Sequence, residues 1–379
     1  MTKTLFQYRE LFPTLKEKIQ LSSCSQSALA LPVIDAMEEY KESLIQGGMD
    51  WELWMDKVNE SKQRFASLIN ADVDEIAIMS SVSECISSVL SSFPVNHGKN
   101  KIITTELDFP CIGHAMQTNN KSLGVTVNYI PSNKDYTISL DDYDKYLDTK
   151  TLLTSISHVS YYNGWKQNVK EIAALAHAKG SYLFVDAYQS IGNINIDVKD
   201  MNVDFLAAGA QKFMLGIPGI AFLYVKKELA SKLTPKVTGW FSQADPFSFD
   251  VKRNNYSSYA SRFDTGTPPV INAYVASAAM KLLLDIGVKE IQMYLEDLSD
   301  FTMKYAKSHG FHVMSPQNST EKGANTALYF EEAPLIEKLM KEKGIIVSAR
   351  KDVIRIAPHL YNTKEDIRQA IDALNSLSL

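Results

Sequence analysis

The sequence predicts an α/β protein, with a large domain on a mostly parallel sheet flanked by helices and a smaller α+β domain after it. Three observations carry this expectation. Short β-rich apolar runs alternate with amphipathic helical stretches through the middle of the chain. The alternation stops near residue 272, where long helices take over. The 379 residues suffice for two or three domains at ~150 residues each.

The strands read in order as IAIM (ending at Met79), KIITTE, VTVNYI, TLLTSISHV, YLFVDA, VDFLAAG and IAFLYV. Helical spacing follows Met79 in SVSECISSVLSSF, and a second helix follows Phe109. VKEIAALAHAKG is a helix stopped by Gly180, a residue that tolerates the left-handed turn at a helix end. Beyond residue 272, NAYVASAAMKLLLDIG and EIQMYLEDLSDFTMKYAKSHG are long helices. FHVM, NTALYFE, GIIVSAR and VIRIA are short strands, and KEDIRQAIDALNSL closes the chain as a helix. The expected division is residues 21–271 as the large domain, with 1–20 and 272–379 forming the small one.

Composition narrows the function classes. Lys and Arg number 39 against 44 Asp and Glu, so a strongly basic nucleic-acid binder is not expected. No apolar run approaches the ~20 residues of a membrane span. The opening MTKTLFQYRELFPTLKEK has no apolar signal core, and a cytoplasmic protein is expected. Cys24, Cys85 and Cys111 are odd in number and far apart, which argues against a disulfide framework. None stands in a CxxC pair and no histidines pair at ligand spacing, so no metal site is expected.

The chemistry begins with SYLFVDAYQSIG. Asp186 ends an apolar strand, where a carboxylate is costly to bury without a cationic partner. Lys212 follows another apolar strand in LAAGAQKFMLGIPG. In parallel sheets ligands bind at the carboxyl ends of strands, where these two groups could meet. A desolvated lysine is a nucleophilic amine. Such an Asp and Lys suit pyridoxal phosphate chemistry, the lysine joining the aldehyde and the aspartate keeping the pyridine nitrogen protonated. Spacing alone favours a surface lysine and a helix-capping aspartate.

The surrounding residues favour the chemical reading. VDAYQS followed by AxxAQKFMLGIPGIAFLYV, with Gly216, Pro218 and Gly219 in its turn, resembles the class V aminotransferase family of pyridoxal phosphate enzymes. That family includes cysteine desulfurases, kynureninases and isopenicillin N epimerase-like proteins. The resemblance runs from about residue 21 to residue 367 and implies a fold-type I architecture. It implies that Asp186 pairs with the ring nitrogen, Gln189 reaches the ring's 3-oxygen and Lys212 is the Schiff-base lysine. The family's S-x-H-K is replaced by Gly209, Ala210, Gln211 and Lys212, so Gln211 stands where a histidine would and a serine hydroxyl is missing. Gln211 can still donate an N–H to phosphate.

Other segments extend the likeness. MSSVSECISSVL resembles a phosphate-binding strand-to-helix turn, with Val82 and Ser83 offering backbone N–H groups. Ser80 or Ser81 can equally serve there as a plain N-cap. TELDFPC resembles the kynureninase version of its segment and makes Phe109 the residue that stacks on the ring. In SHVSYYNGWKQ, Tyr161 and Asn163 are candidates for substrate contact, and His158 reads as structural. In LSSCSQ, Ser23 and Gln26 border the substrate side by the same resemblance. The loop ASRFDTGTPP implies that Thr267 reaches the phosphate of a second subunit, hence a homodimer with shared sites; Arg262 is expected to pair with an acid such as Asp264.

VIRIAPHLYNTKEDI places Arg355 in an apolar strand, where its planar fork suits a carboxylate. By resemblance it holds the α-carboxylate of an amino-acid substrate. Thr363 is the expected N-cap of the last helix, with Asp366 at N3. Desulfurases carry a nucleophilic cysteine shortly before this arginine, but Glu331 to Arg355 contains none. Sulfur transfer through a protein persulfide is therefore not expected. The reading that results is a pyridoxal phosphate enzyme acting on an amino acid, either aminotransferase-like or a C–S or C–C lyase. The alternatives are an isopenicillin N epimerase-like epimerase and a binding protein on the same fold.

Overall fold

In the computed structural model, residues 5–94 and 98–377 are described. Residues 1–4 and 378–379 of the expected small domain lie outside that range. The elements run in the following order: β1 (Ile19–Gln20), α1 (Leu31–Gly47), α2 (Trp51–Ile69), β2 (Ile76–Met79), α3 (Val82–Ser92), β3 (Lys101–Thr105), α4 (Pro110–Leu123), β4 (Thr126–Ile130), α5 (Leu140–Tyr146), β5 (Thr151–Ser157), α6 (Val169–Ala178), β6 (Tyr182–Asp186), α7 (Val198–Met201), β7 (Phe205–Gly209), β8 (Ala221–Val225) and α8 (Lys227–Ala230). Then come α9 (Val270–Ile286), α10 (Val288–Ser308), β9 (Thr326–Tyr329), α11 (Ala333–Glu342), β10 (Ile345–Ile346), β11 (Ser348–Arg350), β12 (Val353–Ile356) and α12 (Lys364–Leu377).

The central sheet has seven strands in the order β2-β8-β7-β6-β5-β3-β4. Only β8 runs against its neighbours, so six strands point their carboxyl ends the same way. β5, β7 and β8 are buried along their whole length, as strands covered on both faces must be. One apolar cluster fills each side of the sheet; Phe65 stacks on Phe222 in one, and Phe93 packs on Tyr182 in the other.

The second part is built on a three-stranded antiparallel sheet, β11-β12-β9, covered by α10 and α11, on which α12 packs. The chain's start joins it: β1 pairs with β10, and Arg9 grips Asp366. Asp366 also closes a capping box with Thr363, as expected, so one carboxylate fixes the last helix and anchors the N-terminal segment. Two details differ from expectation. FHVM makes a single bridge, Val313 to Leu328, instead of a strand. Helix α9, expected in the small domain, packs on α1 and α2, because its apolar surface runs nearly all round and is covered by the large domain's helices. No single helix among the described residues is long and apolar enough to cross a membrane.

Candidate active site

Six strands end on one side of the sheet, and the segments leaving β2, β3, β5, β6 and β7 line a cavity of about 280 Å³. Asp186 is the last residue of β6, and β6 pairs with β7 in register Asp186 to Ala207. Lys212 leaves the adjacent β7 three residues beyond Gly209, so sheet pairing alone brings the two groups to one crevice. Its ammonium lies 4.2 Å from the Tyr188 ring centroid and 5.5 Å from that of Phe109. Burial is the main force on both charges. It lowers Lys212 from 10.5 to about 8, against the opposing pull of Asp186. It raises Asp186 from 3.8 to about 6, opposed by a 2.9 Å hydrogen bond from the Tyr188 N–H.

At β2 the chain turns through Ser81, whose hydroxyl accepts from the Glu84 N–H and caps α3. The capping reading is thus present, and it leaves the phosphate reading intact. Val82 and Ser83 occupy the first two helical positions, whose N–H groups have no intrahelical acceptor, and both line the cavity. At β3, Asp108 accepts from Thr104 Oγ1, from the Thr105 N–H and from the Ser157 N–H at the end of β5. This buried carboxylate ties two strand ends together and holds the next residue, Phe109, at the cavity wall.

Gln211 and Gln189 also line the cavity. Gln189 Nε2 donates to the Cys24 carbonyl at 3.0 Å, which leaves one of its N–H groups for a ligand. The Tyr188 hydroxyl donates to Gln211 Oε1 at 3.1 Å and so turns the Gln211 amide nitrogen away from itself. The same hydroxyl explains Gly209. A Cβ built there would clash with the Tyr188 hydroxyl and ring, so a serine fits only if Tyr188 moves aside. The two departures from the S-x-H-K pattern are one arrangement, organised by a tyrosine that motif reading passed over.

The opposite wall comes from the small sheet. Arg355, 1 % exposed, sits on β12 opposite Ser348 of β11. Its guanidinium donates to Ser348 Oγ at 2.7 Å, to Ser25 Oγ at 2.9 Å, and to the Tyr161 carbonyl at 2.9 Å. No acid pairs with it among the described residues, so its charge is held by neutral acceptors and remains available to an anion. Arg350, Ser25, Cys24 and Cys111 also line the cavity and were not singled out from sequence. Both cysteines lie far in sequence from the segment before Arg355, where a desulfurase carries its nucleophile. Burial pushes the Cys111 thiol up to about 11, which keeps it protonated at neutral pH.

Four expectations need correction. Ser23 lies behind the wall, bonded to the Tyr361 hydroxyl at 3.0 Å, while its neighbours Cys24 and Ser25 reach the cavity. Asn163 is fully buried and spends its amide on the Tyr136 carbonyl and the Trp165 N–H, whereas Tyr161 does line the cavity. Gln26 bonds the Gly216 carbonyl instead of facing the site. Arg262 caps the carbonyls of Ala230, Leu233 and Ser257, because Asp264 is already taken by Lys62 at 2.5 Å. His158 is buried off the cavity, and burial holds it neutral with a pKa near 3. Thr267 is exposed in a separate cleft beside Ser80 and Glu84.

The residues present fit pyridoxal phosphate. Unsatisfied N–H groups at the start of α3 suit its phosphate, Phe109 suits its ring, Asp186 its pyridine nitrogen and Lys212 its aldehyde. The comparisons agree. The family model described as Aminotransferase class-V matches residues 20–376. The chain is 44 % identical over 368 residues to an uncharacterized aminotransferase, YcbU, of Bacillus subtilis strain 168, covering 97 % of this chain and 96 % of that one. It is 28 % identical over 394 residues to a probable cysteine desulfurase of Halalkalibacterium halodurans, covering 95 % of each. The apo cysteine desulfurase from Thermococcus onnurineus NA1 shares the fold, with a TM-score of 0.88 at 22 % identity over 98 % of this chain and 97 % of that one.

Proposed function

The chain belongs to the class V aminotransferases, pyridoxal phosphate enzymes of fold type I, and from that premise we propose that it acts on an amino acid as an aminotransferase-like enzyme or a C–S or C–C lyase, with Lys212 as catalytic amine and Arg355 as carboxylate anchor. One observation carries the reading: a depressed lysine, a buried aspartate on the adjoining strand and an acid-free arginine face one cavity. Pyridoxal phosphate supplies the electron sink for such reactions. The chain's own groups do the rest. Arg355, held by Ser25, Ser348 and Tyr161, binds and orients the α-carboxylate. Lys212 Nζ, its pKa brought down to about 8, takes and returns the proton at the substrate α-carbon. Phe109 and Tyr188 flank that amine and limit its access to water.

We also place Thr267 in the site of a second copy of the chain. It stands in an open cleft of about 590 Å³, beside exposed aromatic residues such as Phe247 and Tyr259. Thr267→Ala is expected to lower cofactor affinity in a dimer, and a fully active monomer would sink this part. The main test is the visible spectrum of the purified protein, titrated with common amino acids. A yellow protein whose band shifts with an amino acid supports the reading. A protein that stays colourless after addition of pyridoxal phosphate overturns it.

A further inference from the structure

Arg350 has no place in the machinery described so far. It lies on β11, two residues from Ser348 and on the same face of the strand, and like Arg355 it lines the cavity. Residues diagonal to each other on such a ladder stand ~7–8 Å apart, within reach of one small ligand. The two arginines are held very differently. Arg355 is clamped by Ser25, Ser348 and Tyr161. Arg350 donates a single bond, to the carbonyl of its neighbour Ala349, out of the five that a guanidinium can make. It has no ion pair among the described residues.

Every other charged group facing the cavity already has an assigned partner. Lys212, Arg350 and Arg355 face the cavity, and Asp186 is the carboxylate among its lining residues. Asp186 is assigned to the ring nitrogen. The phosphate is assigned to the start of α3, on the opposite wall from β11. The substrate's α-carboxylate is assigned to Arg355. A guanidinium with unused donors in a confined site favours an anion with two acceptor oxygens.

We propose that Arg350 binds a second acidic group, so that the substrates are amino acids bearing a carboxylate or similar oxyanion on the side chain. The inference rests on the reading above, in which Arg355 already holds the α-carboxylate. It makes Arg350 a specificity-determining residue.

The test uses the protein loaded with pyridoxal phosphate and two probes without an amino group, glutarate and butyrate. Binding is followed by the shift of the cofactor's visible band and by thermal stabilisation. Glutarate is expected to bind at least tenfold more tightly than butyrate. Arg350→Gln is expected to erase that preference while leaving butyrate affinity within about twofold of the unsubstituted protein. Arg350→Lys, which keeps the charge and loses the fork, is expected to keep part of it. Equal binding of the two acids to the unsubstituted protein would overturn the inference whether or not the variants fold. So would loss of bound cofactor in Arg350→Gln, which would give this arginine to the phosphate. A protein that never acquires the visible band would instead refute the cofactor reading itself.

Discussion

On one wall of the cavity, Asp186 and Lys212 take their places from neighbouring strands of a seven-stranded sheet; on the other, Arg350 and Arg355 take theirs from a short hairpin of a three-stranded one. The first wall is fixed by main-chain pairing deep in the apolar clusters, where Phe184, Leu206 and Phe222 are fully buried. The second is fixed by side chains, through the hydroxyls of Ser25 and Ser348 and the carbonyl of Tyr161. Substitutions on the strand-end wall should therefore remove chemistry and leave the fold standing. Substitutions on the hairpin wall should alter which molecule is held and how well.

The sharpest way to break this contrast is Lys212→Ala. The amine carries both the link to the cofactor and the proton transfer, so activity should fall by about 10³-fold or more. The cofactor's bound-state band should vanish while thermal stability holds or rises, since a buried cation is removed. Retention of the band would mean that another amine serves. Arg355→Gln should act on the other side of the ledger. Losing one partner of a buried charge contact costs ~2–5 kcal/mol, so kcat/KM should fall by about 10²-fold, mostly through KM, with the band unchanged. If the cofactor is lost instead, Arg355 is holding the two domains together and the distinction between the walls fails.

A subtler probe lies within the strand-end wall. Gly209→Ser restores the residue found in the commoner pattern, yet its Cβ would clash with the Tyr188 hydroxyl. Overpacking of this kind costs ~1–3 kcal/mol, and cofactor affinity should drop about tenfold as Tyr188 is displaced from Gln211. Combined with Tyr188→Ala, the serine should cost less than it does alone, because the clash is gone. Full additivity of the two substitutions would show that Tyr188 and Gly209 are not coupled.

The strand-end wall was legible in the sequence because its signals are local. An apolar run ending in Asp186, and another followed by Lys212, announce strand ends directly. Val82, Ser83 and Phe109 sit at helix starts that the small polar residues and Pro110 already mark. The hairpin wall was half legible. Arg355 stood out as a charge in an apolar strand, but Arg350 ends its strand beside Lys351, where a basic residue looks like ordinary surface. Only the register of β11 with β12 turns it toward the cavity. Ser23 and Asn163 failed for a related reason. Both lie in turns, where no alternation of side chains marks which residue faces the cavity. The Tyr188 to Gly209 contact spans two strands and has no local signature. Its trace in the sequence is the pair of departures at Gly209 and Gln211, which the Tyr188 side chain accounts for together.

The smallest expected effect concerns pH and tests the electrostatics of the strand-end wall. Capture of pyridoxal phosphate by the cofactor-free protein requires the neutral Lys212 amine, since the lone pair attacks the aldehyde carbon. Burial lowers this lysine from 10.5 to about 8, so its neutral fraction rises about tenfold per pH unit below 8 and saturates above it. The capture rate, followed as growth of the visible band, should level off near pH 8, where an exposed lysine would keep rising toward 10.5. Asp186 opposes the shift, so Asp186→Asn should move the plateau to lower pH. The same lysine affects stability with a definite sign. Between pH 8 and 10.5 the unfolded chain holds the proton that the folded chain has released, so stability due to this group increases with pH across that window. Lys212→Met should flatten the increase. A capture profile that climbs past pH 10 in the unsubstituted protein would show that the amine is not desolvated by Phe109 and Tyr188, and the cavity's strand-end wall would then be open to water.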